Sequence, residues 1–455
     1  MSDIVTVNAG AQTGTDTVHI ADAAGNTADV PLRVALDAGT IPSTLTLKVT
    51  GSPVDPTWLA AQIEAFITRM MTVQPGAQAT VTVPTSPAPL VGESVQTAVP
   101  VQIAGNGTYF DVTGTTNMTV RNVGVEPFAP PVLFYDDDPE RIVADGLVYR
   151  GSVSSQTPAR LYYYHDGGPD PRRLAVILTS QSQDPTSVQI IDASAGPNLD
   201  VMSVGHAVSK TYLSLAPRNE GIIVDLDAGE PYLLHDFALT AKAGVAGSVA
   251  MQVVSGGPVT VSVVAYSPGV NPVTLLAGPA APPDGHHRTG VFSIVNFGTQ
   301  SLAYTVGGED TKTVYADRDS SPPNAQSGID GHDFGDYGVL HTFLFSLNNP
   351  TAAPATVYLY ERPIGGIVRS TFLVDGNLAE VGCVRLSVPY QIQAFELAAG
   401  GRYQVNVQTM TDGGSNYPLE VGMTATPPVA SAPPISGPDG CFPKPGAPAA
   451  PPGGR

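Results

Sequence analysis

Along most of this chain apolar residues recur at every second position. Val249, Met251 and Val253 precede a Gly-Gly-Pro turn, and Val259, Val261 and Val263 follow it. Side chains alternate across a strand, so this spacing predicts two β-strands around a tight turn. No charged residue occurs from Ala243 to Pro283, yet the glycines, prolines and period of two speak against a membrane helix there, and no membrane span is expected. Between Thr80 and Val125 the runs TVTVP, VPVQI, TYFDV and MTVRNV repeat the strand pattern between Gly, Pro, Asn and Ser clusters. One segment departs from it. Over residues 55–73, Leu59, Ile63, Phe66, Ile67 and Met70 recur at helical spacing behind Asp55 as a cap and Pro56 at the first helical position. Gln74, Pro75 and Gly76 stop this helix, which is expected to cover the open face of a sheet with Trp58 in its first turn.

The pattern also repeats on a larger scale. Laid over one another, residues 145–266 and 289–424 agree in three blocks, which set Leu161 and Tyr163 on Leu302 and Tyr304, Leu174, Val176 and Leu178 on Phe343, Phe345 and Leu347, and Pro231, Tyr232 and Phe237 on Pro389, Tyr390 and Phe395. The predicted fold class is all-β: tandem antiparallel β-sandwiches from an internal duplication, with one N-terminal amphipathic helix. The expected organisation is a partial strand segment at 1–35, a β region at 36–130 holding the helix, sandwich copies at 145–268 and 288–425, a Pro-rich linker at 269–287 and a Pro-rich disordered tail at 426–455. Copy two is expected to carry an insertion near residues 309–338, and copy one a shorter one near 194–221. Such long loops are where function concentrates.

Residues 17–34, TVHIADAAGNTADVPLRV, place Asp22, Gly25 and Asn26 in a turn between two short strands. The segment resembles the closing hairpin of bacterial immunoglobulin-like modules, and the duplicated part resembles in style exported bacterial surface proteins of uncharacterised function built from Ig-like or jelly-roll sandwiches. That resemblance implies a structural or interaction role in the extracellular space or cell envelope, although MSDIVTVNAG has neither the basic nor the apolar region of a secretion signal.

Composition narrows the partners. The 455 residues carry 21 Lys and Arg against 40 Asp and Glu, a formal charge of −19, which argues against nucleic acid as a partner. Charged residues are only 13% of the chain, so the acidity reflects a shortage of cations with no acidic tail behind it. Two cysteines, Cys383 and Cys441, exclude a disulfide scaffold and a CxxC zinc site, and leave their own pairing open.

Candidate chemistry gathers in the copy-two insertion. Asp317, Asp319, Asp330, Asp333 and Asp336 could hold a calcium ion through loop oxygens, against the plainer reading of a solvated acidic loop; no cofactor is required by any motif. His332 and His341 offer a transition-metal alternative. Asp136, Asp137 and Asp138 read as a polar turn before a cation site. His206, with Ser203, Ser209 and Lys210 nearby, lacks a nucleophile elbow and is not expected to be catalytic. Tyr162 and Tyr164 share one face of a strand and could stack on sugar rings or cover a neighbouring element. The leading expectation is a non-catalytic structural or interaction protein with protein or glycan partners and a capacity to self-associate. A carbohydrate-binding or calcium-dependent accessory module is the alternative, and a hydrolase using loop carboxylates such as Asp317 and Asp333 the second.

Overall fold

A computed structural model describes residues 13–85, 87–285, 288–326 and 331–429. The chain divides into two compact units, Met1–Gly124 and Val125–Arg455. The mostly β, sandwich-like class expected from the alternation is what the structure has.

The first unit begins with a hairpin of β1 (Gly14–Ala21) and β2 (Thr27–Val34). Its turn is made as the sequence suggests: the Asp22 carboxylate accepts from the backbone of Ala24 and Asn26, and Gly25 takes a φ of +86°. Next come β3 (Gly39–Thr40), β4 (Thr44–Thr50), helix α1 (Pro56–Met70), β5 (Thr72–Val73), β6 (Gln78–Val81), β7 (Ser94–Ala104) and β8 (Val112–Asn122). Strands β4, β8, β7 and β6 lie side by side in that order, with β4 parallel to β8. Asp55 caps α1 by accepting from Thr57 and Trp58, and Leu59, Ile63 and Ile67 form its buried stripe.

The second unit holds both sandwiches. The first uses β9 (Val132–Asp136), β10 (Arg141–Ile142), β11 (Gly146–Val153), β12 (Ala159–Gly167), β13 (Arg172–Ser180) and β14 (Thr186–Asn198). Helix α2 (Val201–Leu215) follows, then β15 (Gly221–Leu226), β16 (Pro231–Leu239), β17 (Gly244–Ser255), β18 (Val259–Tyr266) and β19 (Thr289–Phe292). One sheet runs β19-β9-β12-β17-β14-β15 and the facing one β11-β18-β13-β16. Leu161, Val249, Leu174 and Val261 are among the side chains that close the core between them.

The second sandwich uses β20 (Asn296–Thr305), β21 (Thr311–Tyr315), β22 (Leu340–Asn348), β23 (Ala355–Pro363) and β24 (Val368–Val374). It is completed by β25 (Asn377–Val384), β26 (Tyr390–Leu397), β27 (Arg402–Met410) and β28 (Leu419–Thr424). Its sheets run β20-β22-β27-β24-β25 and β21-β28-β23-β26. Leaving β19 aside, the two orders are the same. The parallel pairing of β9 with β12 recurs in that of β20 with β22, and a bulge at Leu234 in β16, opposite Val176 and Ile177, answers one at Ile392 in β26, opposite Leu359 and Tyr360.

This topology corrects the register of the repeat. Leu161 faces Val249 and Phe343 faces Val407, so β12 answers to β22, and the first two sequence blocks are displaced by one strand. The third block, β16 on β26, stands. A period of two fits any strand of a sandwich, so alternation alone does not fix which strand is which. The extra residues follow from the correct pairing. In copy two they are residues 316–339 between β21 and β22, so part of the stretch expected as loop is strand β21. In copy one they are residues 199–220, which fold as α2, where copy two has only an Asp375-Gly376 turn.

Helix α2 buries Met202, Val204, Val208, Tyr212 and Leu213 and packs on β14 and β17 on one side and on β24 and β27 of the other sandwich. A methyl group on Gly205 would fall 2.0 Å from the Gly413 carbonyl oxygen. Alanine favours a helix interior over glycine by about 1 kcal/mol, but an overpacked backbone contact costs about 1–3 kcal/mol. Gly205→Ala should therefore lower the urea midpoint of unfolding, against helix propensity.

Candidate functional site

In the second unit, a cleft of about 350 Å³ is lined by residues from five separate segments. Strand β9 and the turn after it bring Tyr135, Asp137 and Glu140, and β12 brings Tyr162 and Tyr164. Residues 316–339 contribute Phe334 and Tyr337, and the loop after β27 supplies Gly413, Gly414, Ser415 and Asn416. Arg288 completes the wall. A depression of about 460 Å³ on the first unit's sheet is bounded by Thr, Leu, Ala, Gln, Asn and Met side chains with no ionisable group among them.

Pairing in the sheets brings the aromatic residues together. Because β9 lies in register beside β12, Tyr135 is next to Tyr162, and their rings stack with centroids 5.5 Å apart. Tyr337 stacks on the other side of Tyr162 at 6.4 Å. It is held there by a hydrogen bond from its hydroxyl to the Ser415 carbonyl (2.7 Å) and by the Asp333 carboxylate, which accepts from the Tyr337 amide (3.1 Å). Buried Arg160 of β12 donates to the carbonyls of Val295 and Gly338, which fixes the end of the insertion against the strand. Gly338 has a φ of +77°, and a Cβ there would meet the Tyr162 Cβ at 2.9 Å and its ring at 3.0 Å. Phe334 sits under two guanidinium groups, Arg288 and Arg318, each 4.7 Å from its ring centre.

The polar edge of the cleft is short of partners. Tyr149, Tyr163 and Tyr266 donate to Gly290, Ser194 and Asp236. Among the described residues, the hydroxyls of Tyr135, Tyr162 and Tyr164 meet no hydrogen-bond partner. Neither does the Asp137 carboxylate, whose Oδ1 is shut off from solvent. Burial, reinforced by Glu140 and Asp136, holds the Asp137 carboxyl well above the usual carboxylate range, and Arg288 only partly opposes this. Asp333 is pushed the same way by burial and by Asp336.

Tyr162 and Tyr164 thus come together, as their spacing predicts, but with only 2% and 9% of their surfaces exposed they offer hydroxyl edges and no open stacking face. The four of the five aspartates that are among the described residues form no metal-holding group. Asp317 and Asp319 belong to a short 3-10 turn at Arg318–Ser320, Asp333 and Asp336 are buried behind the cleft, and Asp330 lies outside the described residues. His332 Nδ1 donates to the Ser321 carbonyl, whereas the His341 ring stacks on Phe297 with its Nε2 3.2 Å from Asp336. Among the described residues no group of three or more His, Cys, Asp and Glu side chains is placed to hold a metal. Sequence reasoning weighed Asp137 but preferred a turn there, and it missed Arg288, Tyr337 and the Gly413–Asn416 loop. Cys441, His286 and His287 and the tail beyond Val429 lie outside the described residues.

His206 has a different role from a nucleophile's base. Its Nδ1 lies 2.6 Å from Asp412 and its Nε2 3.0 Å from Glu380, both in the second sandwich, so both ring nitrogens are engaged. Ser209 donates instead to the Thr411 carbonyl. Lys210 also reaches Glu380 (2.7 Å), and Arg369 pairs with Asp200 at the start of α2 (2.9 Å). Burial opposes the imidazolium, yet the two carboxylates outweigh it and raise the His206 pKa. Near it Glu361, wholly buried, is pushed up to about 8, chiefly by desolvation.

No family model matches this chain, and no curated protein matches it. Among solved structures it is similar to tripeptidyl peptidase 2 at 13% identity, over 78% of this chain but only 29% of that one, with a TM-score of 0.17. It is similar also to the tandem CBM22-1–CBM22-2 domain of Paenibacillus barcinonensis Xyn10C (8% identity, 78% of this chain and 93% of that one, TM-score 0.13). A third is Lac15 from a marine microbial metagenome (10%, 86% and 99%, TM-score 0.13). Likenesses this slight carry no argument about ligand or activity. No helix among the described residues is long and apolar enough to cross a membrane.

The raised acids set the sign of a pH effect. A group whose folded pKa lies above its unfolded value stabilises the fold fully below the unfolded value and less as pH rises through the folded one. For Glu361 that window runs from its ordinary 4.5 to about 8, and His206 acts in the same direction. The melting temperature of the second unit should fall between pH 5 and 8, and Glu361→Gln should flatten that slope in a calorimetric series.

Proposed function

We propose that this is a non-catalytic glycan-binding protein of the cell surface or extracellular space, and that the tyrosine-lined cleft is its recognition site. One observation carries the reading: three phenol hydroxyls and a carboxylate without partners line the same space, while neighbouring buried tyrosines are paired. Of these atoms the Asp137 Oδ1 is shut off from solvent, and leaving such a group unsatisfied costs about 1–3 kcal/mol; the phenol hydroxyls open on the cleft, where a ligand can take up their bonds. Saccharide hydroxyls both donate and accept, and phenols and a carboxyl can meet them in either sense. The volume falls in the ~300–1,000 Å³ range of ligand pockets and suits a monosaccharide or the end of a longer chain. The tandem sandwiches and the low share of charged residues suit a secreted binding module.

Titration calorimetry against a panel of oligosaccharides should give saturable binding at one site. Tyr135→Phe and Tyr164→Phe each delete one hydroxyl and keep the ring, and each should weaken that binding by roughly two- to twelve-fold, the equivalent of one hydrogen bond, with the urea midpoint unchanged. Phenylalanine variants that bind like the parent protein would overturn the assignment of the cleft.

A further inference from the structure

We infer that the second unit has another binding site, sharing no lining residue with the tyrosine-lined cleft, and that it takes a monocarboxylate on a small apolar body. A pocket of about 220 Å³ is bounded by the end of α2, the segment before β9 and residues of β12, β20, β22 and β27. Phe128, Leu213, Ala216 and Leu340 give it apolar walls, and no Asp or Glu lines it. Its one charged lining residue is Arg160, only 2% exposed.

This guanidinium carries more donors than the chain uses. An arginine stays charged and offers five N–H groups. The Arg160 Nη2 donates to the carbonyls of Val295 and Gly338, and the guanidinium carbon lies 4.7 Å from the centre of the Tyr212 ring, so the group is held in place. Its Nε is shut off from solvent without an acceptor, whereas Nη1 is not shut off and also meets no acceptor among the described residues. Asp333 senses Arg160 as a minor influence behind its own burial, and the two form no ion pair. Two carbonyls solvate the guanidinium but bring no net charge; a carboxylate brings an acceptor and the opposite charge in one group. The Tyr212 hydroxyl and the Gln408 amide, which line the same pocket and have no hydrogen-bond partner among the described residues, supply neighbouring donors. Size sets the apolar part. A dry cavity of about 150 Å³ takes up benzene, so about 220 Å³ holds a single ring with a carboxylate arm.

Three probes of nearly one shape separate charge from fit: phenylacetate, phenylacetamide and phenethylamine, titrated calorimetrically near pH 7. Phenylacetate should bind saturably at one site and raise the melting temperature of the second unit. Phenylacetamide should bind about tenfold more weakly, the difference between a charged and a neutral hydrogen bond, and phenethylamine should not bind. Arg160→Gln should bring phenylacetate down to the level of the amide. Because Arg160 also holds the Val295 and Gly338 carbonyls, that variant can fail to fold, so a second one leaves Arg160 in place: Ala216→Phe, at a half-buried lining position, fills the pocket and should abolish phenylacetate binding with the urea midpoint unchanged. Acid and amide bound equally well would overturn the inference, as would phenylacetate binding that survives Ala216→Phe or binding of none of the three probes. Each of these outcomes leaves the saccharide reading of the cleft standing.

Discussion

The second unit depends on one buried ionic contact, the imidazole of His206 held between Asp412 and Glu380. The helix that carries it grows from the first sandwich, and both carboxylates belong to the second. Such a contact adds little net stability, because taking the charges out of water offsets most of their attraction, but its geometry is demanding. Arg369 to Asp200 and Lys210 to Glu380 repeat the demand at either end of the contact. Between them Gly205 lets α2 approach the backbone at Gly413. The loop that includes Gly413 is the loop that forms one wall of the cleft, so the shape of the cleft follows from this seam.

Two copies of one sandwich differ here by two additions, and both additions serve the same place. Helix α2 fixes the loop after β27, and residues 316–339 bring Tyr337 and Phe334 to β12. The cores are conventional apolar interiors, Leu161 and Val249 in one and Phe343 and Val407 in the other. Everything polar that lacks a partner in the cleft lies where the two copies and their additions meet. A duplicated scaffold can keep its core and acquire a site in this way, since loops tolerate insertion where strands do not.

The alternation of residues made the sandwiches legible, and Asp55, Pro56 and the apolar spacing behind them made α1 legible to within a few residues. Helix α2 was not read, because Gly205 and Ser203 disguise its apolar stripe and the stretch follows a strand that ends in Gly-Pro. Its position was nonetheless visible as surplus length in copy one. The strand equivalence slipped for a physical reason: Val and Leu at period two suit any inward-facing position, whereas a bulge, such as those at Leu234 and Ile392, marks one strand and leaves little trace in composition. Tyr162 and Tyr164 could be singled out because a run of three tyrosines must expose different faces. Asp137 could not, because its importance lies in what fails to reach it, and only the fold determines that.

The formal charge of −19 counts residues, and the fold changes what it means. Asp137, Asp333 and Glu361 are all held above the usual carboxylate range, mainly because burial disfavours the anion. Interior acids are commonly balanced by Lys or Arg. This chain has 21 such residues for 40 acids, and several of its arginines are engaged elsewhere: Arg160 with backbone carbonyls, Arg369 with Asp200, and Arg288 and Arg318 with the Phe334 ring. Inside a closed core the consequence is a neutral carboxyl and a fold that weakens as pH rises.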